Sequence, residues 1–193
     1  MSDKEEITYT EKKFENVSYE AKQFANRYFD TCTFHKSILK DCTFTNCRFV
    51  NCIFEDCDLS LIKLKNTSFT GTEVRNSKAI GVMWYHAAEP FTISFYNSKL
   101  SYSSFYGKNL KKGKFTGCIA DEVDFSECIL IEADFRETDL INAVFSNSDL
   151  TLANFIHARN YSIDIRNNKI RKAKFSLPDA LSLLYGLDII IED

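Results

Sequence analysis

Glycine and proline are scarce, with six Gly and two Pro among 193 residues, which excludes a flexible or low-complexity linker protein. No apolar run approaches the roughly 20 residues a bilayer-spanning helix needs. The three histidines, His35, His86 and His157, lie far apart, and none sits beside a convincing nucleophile or ligand. Glycine-rich phosphate loops, HExxH and CxxC are all missing. The opening Met1-Ser2-Asp3-Lys4-Glu5-Glu6 is polar and acidic, unlike a secretory leader. These absences argue against an enzyme, a cofactor or metal site and a membrane protein, and favour a cytoplasmic location.

What the chain has is a beat of five. Phe14, Tyr19, Phe24, Phe29, Phe34, Leu39, Phe44, Phe49, Phe54, Leu59, Leu64 and Phe69 recur at every fifth position. The beat resumes at Phe95 and runs through Leu100, Phe105, Leu110, Phe115, Phe125, Leu130, Phe135, Leu140, Phe145, Leu150 and Phe155. Five matches neither the helical period of 3.6 nor the strand period of 2. Taking each large residue as position i, residue i−2 is small or apolar, while i−1, i+1 and i+2 are mostly polar. Each repeat therefore makes one short side with an inward pair and a bend. Four sides close a square coil of about 20 residues, and residues 20 apart stack at about 4.8 Å. The expected fold is an all-β solenoid whose interior is filled by side chains.

The phase explains the cysteines. Cys32, Cys42, Cys47, Cys52, Cys57, Cys118 and Cys128 all occupy i−2, where many other repeats carry Ser, Thr or Ala. The fivefold spacing fits no usual zinc motif, so packing of small reduced thiols is the expectation. Position i+2 is rich in Asn, which tolerates the backbone of tight corners. Asn26, Asn46 and Asn66 are expected to form one stacked column.

This pattern resembles the pentapeptide-repeat family, whose repeat reads A(D/N)Lxx. Ala133-Asp134-Phe135-Arg136-Glu137 and Ala153-Asn154-Phe155-Ile156-His157 are close matches. The resemblance covers about residues 9–158 and implies a right-handed quadrilateral β-helix. The organisation read from the sequence is a β-helix over 1–158, with an N-terminal stack to about 84, an irregular connection at 85–94 and a C-terminal stack at 95–158. Residues 159–193 form a C-terminal helix and tail.

The connection arises because Trp84 and Phe95 are 11 apart rather than ten, and Pro90 cannot donate to a ladder. It is either a functional loop on a rigid scaffold or a bland insertion. Tyr85, His86, Glu89, Pro90, Phe91, Tyr96, Tyr102 and Tyr106 are the candidate partner-binding residues here. Beyond Phe155 the period is read as ending. Ser176-Leu177-Pro178-Asp179 reads as the start of a short α-helix, with Ser176 as cap and Gly186 as stop. Leu187 to Ile191 then form a β-like apolar tail. This segment caps the last coil or joins two copies through Leu177, Pro178, Leu181, Leu184, Leu187 and Ile189.

Charge is segmented. Residues 1–60 hold 8 Lys/Arg and 11 Asp/Glu, residues 61–115 hold 9 and 2, and residues 159–193 hold 6 and 5. Residues 116–158 hold Arg136 alone against Asp121, Glu122, Asp124, Glu127, Glu132, Asp134, Glu137, Asp139 and Asp149. In 20-residue register, Lys112 falls over Glu132 and Lys114 over Asp134, so both are expected as cross-coil ion pairs. A basic, aromatic patch of Lys99, Lys108, Lys111, Lys112 and Lys114 with Tyr96, Tyr102 and Tyr106 is the opposite electrostatic reading, a binder of single strands. The acidic balance disfavours direct nucleic-acid binding.

Leu100-Ser101-Tyr102-Ser103-Ser104-Phe105, the run from Ile163 to Leu184 and the terminal Leu187-Asp188-Ile189 are similar to Qnr-like proteins. That resemblance implies a cytoplasmic homodimer joined at its C-terminal ends. It would bind the type II topoisomerases DNA gyrase and topoisomerase IV as a DNA mimic and protect them from quinolones. The partner face would then be the acidic block, namely Asp121, Glu122, Asp124, Glu132, Asp134, Glu137, Asp139 and Asp149. The alternative is a pentapeptide-repeat scaffold binding another protein, with no topoisomerase role.

Overall fold

The structure is a computed structural model that describes residues 6–185, 187, 189 and 190. It is a parallel β-solenoid of about eight turns with almost no helix. Short strands pair in register with the next coil, as in Phe14 with Phe34 and Phe34 with Phe54. Isolated bridges continue the ladder, for example Asn109 with Ile129 and Ile129 with Asp149. The long strand Ser68–Arg75 turns a corner, pairing Arg48–Val50 on one side and Ile53–Glu55 on the next.

Every inward Phe meets its counterpart one coil away. Phe115, Phe135, Phe155 and Phe175 stack at 5.0, 4.9 and 5.1 Å between ring centroids. A second column, Phe105, Phe125 and Phe145, stacks at 5.3 and 5.1 Å. Rings of the two columns meet edge to face, as Phe125 and Phe135 do at 5.4 Å and 84°. Such pairs add about 0.5–1.5 kcal/mol each beyond the area they bury.

The i−2 slot is more than a packing position. Its side chains lie along the coil axis and satisfy carbonyls. Cys52 Sγ donates to Phe29 O (3.4 Å) and Val50 O (3.4 Å). Thr67 Oγ1 donates to Phe44 O (3.0 Å) and accepts from Cys47 N (3.2 Å). Asn168 fills the same slot, donating to Phe145 O (2.8 Å) and accepting from Ser148 N (2.9 Å). All seven cysteines are buried free thiols. Burial pushes up the pKa of Cys42, Cys47, Cys52, Cys57, Cys118 and Cys128, to about 12 at Cys118.

Outside the connection, the i+2 corners from Glu11 to His157 are left-handed, with φ of 48° to 62° at non-glycine residues. The expected Asn column is formed. Asn46 Nδ2 donates to Asn26 Oδ1 (3.2 Å), and Asn66 Nδ2 donates to Asn46 Oδ1 (2.8 Å).

Three features differ from the sequence reading. The solenoid continues past 158, since Asn154–Phe155 pairs Lys174–Phe175 and Asp149 bridges Lys169. Ile165, Ile170 and Phe175 restore the beat after polar residues hide it. The C-terminal helix is a 3-10 helix, Asp179–Leu184, rather than an α-helix. Ser176 does not cap it through its side chain, because its hydroxyl accepts from His157 N (2.9 Å). With three residues per turn, Leu183 rather than Leu181 packs against the core. The expected stop at Gly186 lies outside the described residues, as does Ile191 of the tail.

The expected irregularity at 85–94 is absorbed inside one coil. After a 3-10 turn at Trp84–His86, the strand Ala88–Tyr96 pairs Ser68–Arg75. Ser68 faces Ala88 and Phe69 faces Phe91, so Glu89 and Pro90 are extra. Two residues, Ile93 less Phe91, then face three, Thr72 less Phe69, so the net gain is one. Gly71 N donates to Thr92 Oγ1 (2.8 Å) across the compensating step. Downstream columns return to 20-residue spacing, as in Lys99 with Ile119.

Candidate functional site

A square coil gives its sides different fates. Residues flanking Phe105 and those flanking Phe95 or Phe115 are ten apart in sequence and lie on opposite sides. The eight loop and aromatic candidates therefore separate. Tyr85, Tyr102 and Tyr106 share one side and are 41, 55 and 46 % exposed. The bridge between Met83 and Ser104 puts Tyr85 and Tyr106 in one column. His86 closes this side, its ring 4.2 Å from Tyr85. Tyr96 is on the opposite side, half-buried, with Arg75 and Lys114 each 5.9 Å from its ring. Phe91 is a core residue, 3 % exposed, against Phe69 and Trp84. It is unavailable to a partner because the extra Glu89 and Pro90 turn it inward. Pro90 and Glu89 are exposed beside it.

Lys108, placed by sequence in the basic patch, has a bracing role that the sequence reading missed. It takes the i−2 slot, where small residues are the rule, and is buried. Its ammonium donates to Ala87 O (2.6 Å) and Glu89 Oε1 (3.1 Å) and sits 5.0 Å from the Phe91 ring. Phe91 N in turn donates to Glu89 Oε2 (2.9 Å). The lysine thus braces the connection and is lost to the basic patch. That patch disperses further, since Tyr102 and Tyr106 point away from Tyr96, Lys111 and Lys114. A lysine breaking a small-residue phase was the available signal.

The acidic block is partly neutralised from neighbouring coils. Lys112 pairs with Glu132 at 3.8 Å, as expected. Lys114 and Asp134 are in register, but the ion pair is not theirs. Asp134 is held by Arg136 at 2.7 Å, because the guanidinium also reaches it through Nε while Lys114 lies over Tyr96. Asp139 accepts from Arg159 (3.1 Å) and Asn160 (2.8 Å), and Asp149 pairs with Lys169 at 3.9 Å. Partial burial raises the pKa of Asp134, Asp139 and Asp149, but these hydrogen bonds and cations outweigh it and all three fall below the usual range. Among the described residues Asp121, Glu122, Asp124, Glu127 and Glu137 form no salt bridge. Asp124 is fixed by Ser126 N (2.8 Å) and Ser104 Oγ (3.2 Å). Glu127 raises the pKa of the Tyr106 hydroxyl by hydrogen bonding to it.

At the C-terminal end Leu177 is 77 % exposed, Leu181 45 % and Ile189 56 %. Pro178 is exposed, and Leu184 and Leu187 are half-buried. Tyr185 and Ile190, absent from the sequence-based set, are still more exposed, at 79 and 88 %.

A filled square coil with left-handed corners every fifth residue is the architecture of pentapeptide-repeat proteins. Family models described as pentapeptide repeats match residues 29–73 and 121–156. No curated protein matches the chain in sequence. Among solved structures it is similar to trypsin-treated QnrB1, described as a plasmid-mediated fluoroquinolone resistance protein. The TM-score is 0.71 at 20 % identity, over 98 % of this chain and 100 % of that one. Full-length QnrB1 matches with TM-score 0.64 at 17 % identity, over 92 and 100 %. HetL, a pentapeptide-repeat protein involved in heterocyst differentiation regulation in the cyanobacterium Nostoc sp. strain PCC 7120, matches with TM-score 0.60 at 16 % identity, over 86 and 84 %. The fold thus resembles that of the Qnr branch.

Proposed function

We propose that this chain is a non-enzymatic, DNA-mimicking protein that binds type II topoisomerase, DNA gyrase or topoisomerase IV, and limits quinolone action on it. The observation that carries this reading is the segregation of charge along a rigid rod. Nine acids against one arginine occupy residues 116–158, on the coils next to the C-terminal end. A cytoplasmic homodimer joined through Leu177, Leu181, Tyr185 and Ile189 would double that block about a two-fold axis. Duplex DNA carries one charge per about 1.7 Å, and a two-fold symmetric enzyme would meet the acidic centre where its DNA lies. The carboxylates without salt bridges, Glu122, Glu127 and their neighbours, supply most of the field.

The test is gyrase supercoiling titrated with this protein, with and without a quinolone. Inhibition of supercoiling, or relief of quinolone inhibition, is expected, with loss of either in Glu122→Lys/Glu127→Lys. No effect on either reaction removes the proposal. The basic belt at 61–115 and the structural likeness to HetL favour a second reading, a scaffold for another protein, which that null result would leave standing.

A further inference from the structure

One side of the rod carries an apolar, aromatic stripe that no part of the described chain covers. It runs over three successive coils, through Leu61, Met83, Tyr85, Tyr102 and Tyr106, each 37 to 55 % exposed. Its lower half is a groove of about 520 Å³ between Leu61, Met83, His86 and Lys65. Gly81, left-handed with φ of 66°, lines this groove beside Leu61. Exposed tyrosines in a column offer flat apolar area and π faces at little entropic cost, and Lys108 fixes the segment that follows Tyr85 and His86.

Charge at the two ends of the stripe selects the occupant. Backbone pairing of Tyr102 N with Asp121 O (2.9 Å) and bridging of Ser104 with Asp124 put Asp121, Glu122, Asp124 and Glu127 on the coil directly above the tyrosines. None of these four forms a salt bridge among the described residues, whereas Glu132, Asp134, Asp139 and Asp149 all do. At the other end Lys63 is neutralised by Asp41 at 2.7 Å and Lys65, also lining the groove, forms no salt bridge among the described residues, so the stripe runs from one such lysine to four carboxylates. Tyrosine faces beside carboxylates that hold no cation are the complement of arginine, which stacks on the ring and pairs with the acid.

We propose that this side of the rod is the docking surface for an extended, arginine-bearing segment of a partner protein. Apolar side chains of the segment lie over Leu61 and Met83, and its arginines lie over Tyr102, Tyr106 and the Asp121–Glu127 coil. The inference rests on the reading above only in taking the acidic half as the partner-binding half, and it narrows that half to one side.

The probe is a fluorescent peptide of about eight residues alternating arginine and leucine, long enough at roughly 3.3 Å per residue to cross the three coils of the stripe and the acidic coil above them. Controls alternate glutamate with leucine, and arginine with serine. The protein is expected to bind the arginine–leucine peptide at least about tenfold tighter than either control. Tyr85→Ser/Tyr102→Asn/Tyr106→Ser should cost at least about tenfold, with Asn chosen because residue 102 is left-handed. Glu122→Lys/Glu127→Lys should cost as much and flatten the salt dependence. Lys already occupies an equivalent corner at Lys112, so the fold tolerates it. Asp134→Asn/Asp139→Asn should stay within about twofold. The proposal is overturned if the arginine–serine peptide binds as well, if the tyrosine variant binds unchanged, or if the Asp134/Asp139 variant is as weak as the Glu122/Glu127 one. Peptide binding without any effect on gyrase sinks the topoisomerase reading and keeps this one; the reverse result does the opposite.

Discussion

Replacing Lys108 tests how the connection is held. Lys108→Ala removes a charge-assisted hydrogen bond of 2.6 Å to the Ala87 carbonyl, in a site where water does not replace it. Such a bond contributes about 1.5–3 kcal/mol. The contact with Glu89 adds little, since that carboxylate is 65 % exposed and exposed pairs contribute about 0–1 kcal/mol. The buried methylene stem contributes about 0.8 kcal/mol per CH₂, offset by the side-chain entropy released. The sum is a loss of about 3 kcal/mol, or about 6–12 °C in Tm for a chain of this size. Lys108→Met keeps the stem and drops the charge, so it should lose about half as much. Stability is read by urea unfolding, and the site of the loss by hydrogen exchange at Ala87–Phe91. Lys108→Ala within about 0.5 kcal/mol of wild type, or a loss spread evenly along the rod, would refute the brace.

Three further outcomes follow from the same geometry. None of the seven cysteines should react with a thiol reagent before unfolding, because all seven are buried and burial pushes Cys52, Cys118 and Cys128 up to about 12; labelling of the folded protein would contradict this. Asn46→Ala should cost about 2 kcal/mol, from two ladder hydrogen bonds and the left-handed backbone, and Asn46→Gly about half of that; a glycine variant less stable than the alanine one sinks the conformational part of the argument. Hydrogen bonds from Arg166 hold the Asp164 carboxyl down at about 2. The folded value lies below the unfolded one, so its stabilisation is present above about pH 4 and is lost as pH falls through about 2. An NMR titration midpoint near the ordinary carboxylate value would contradict the pairing.

The inward phase of five was enough to read the coil, the cysteine slot and the Asn26–Asn46–Asn66 column, because each depends on which residues lie 5 or 20 apart. Interactions that depend on side-chain direction were not legible. The hydroxyls and thiols at i−2 reach carbonyls 23 residues back, a separation no linear motif displays. The acidic block looked unopposed because its cations, Arg159 and Lys169, belong by sequence to the next segment and by stacking to the same columns. Ile165 and Ile170 were hidden by the basic run around them, so the coil was ended a turn early. Ser176 had two possible acceptor roles, and the His157 amide of the stacked coil won over the helix start.

The one-residue surplus in the coil at 85–96 bears on how this chain can change length. In a solenoid the chain is read in frames of five. An insertion of one residue anywhere between Phe95 and Phe155 would shift every later phenylalanine to an outward position, much as a single added base garbles a reading frame. The strand Ala88–Tyr96 already accommodates such an insertion and restores the frame by Phe95. It is therefore the seam at which residues can be gained or lost while the coils on either side stay in phase.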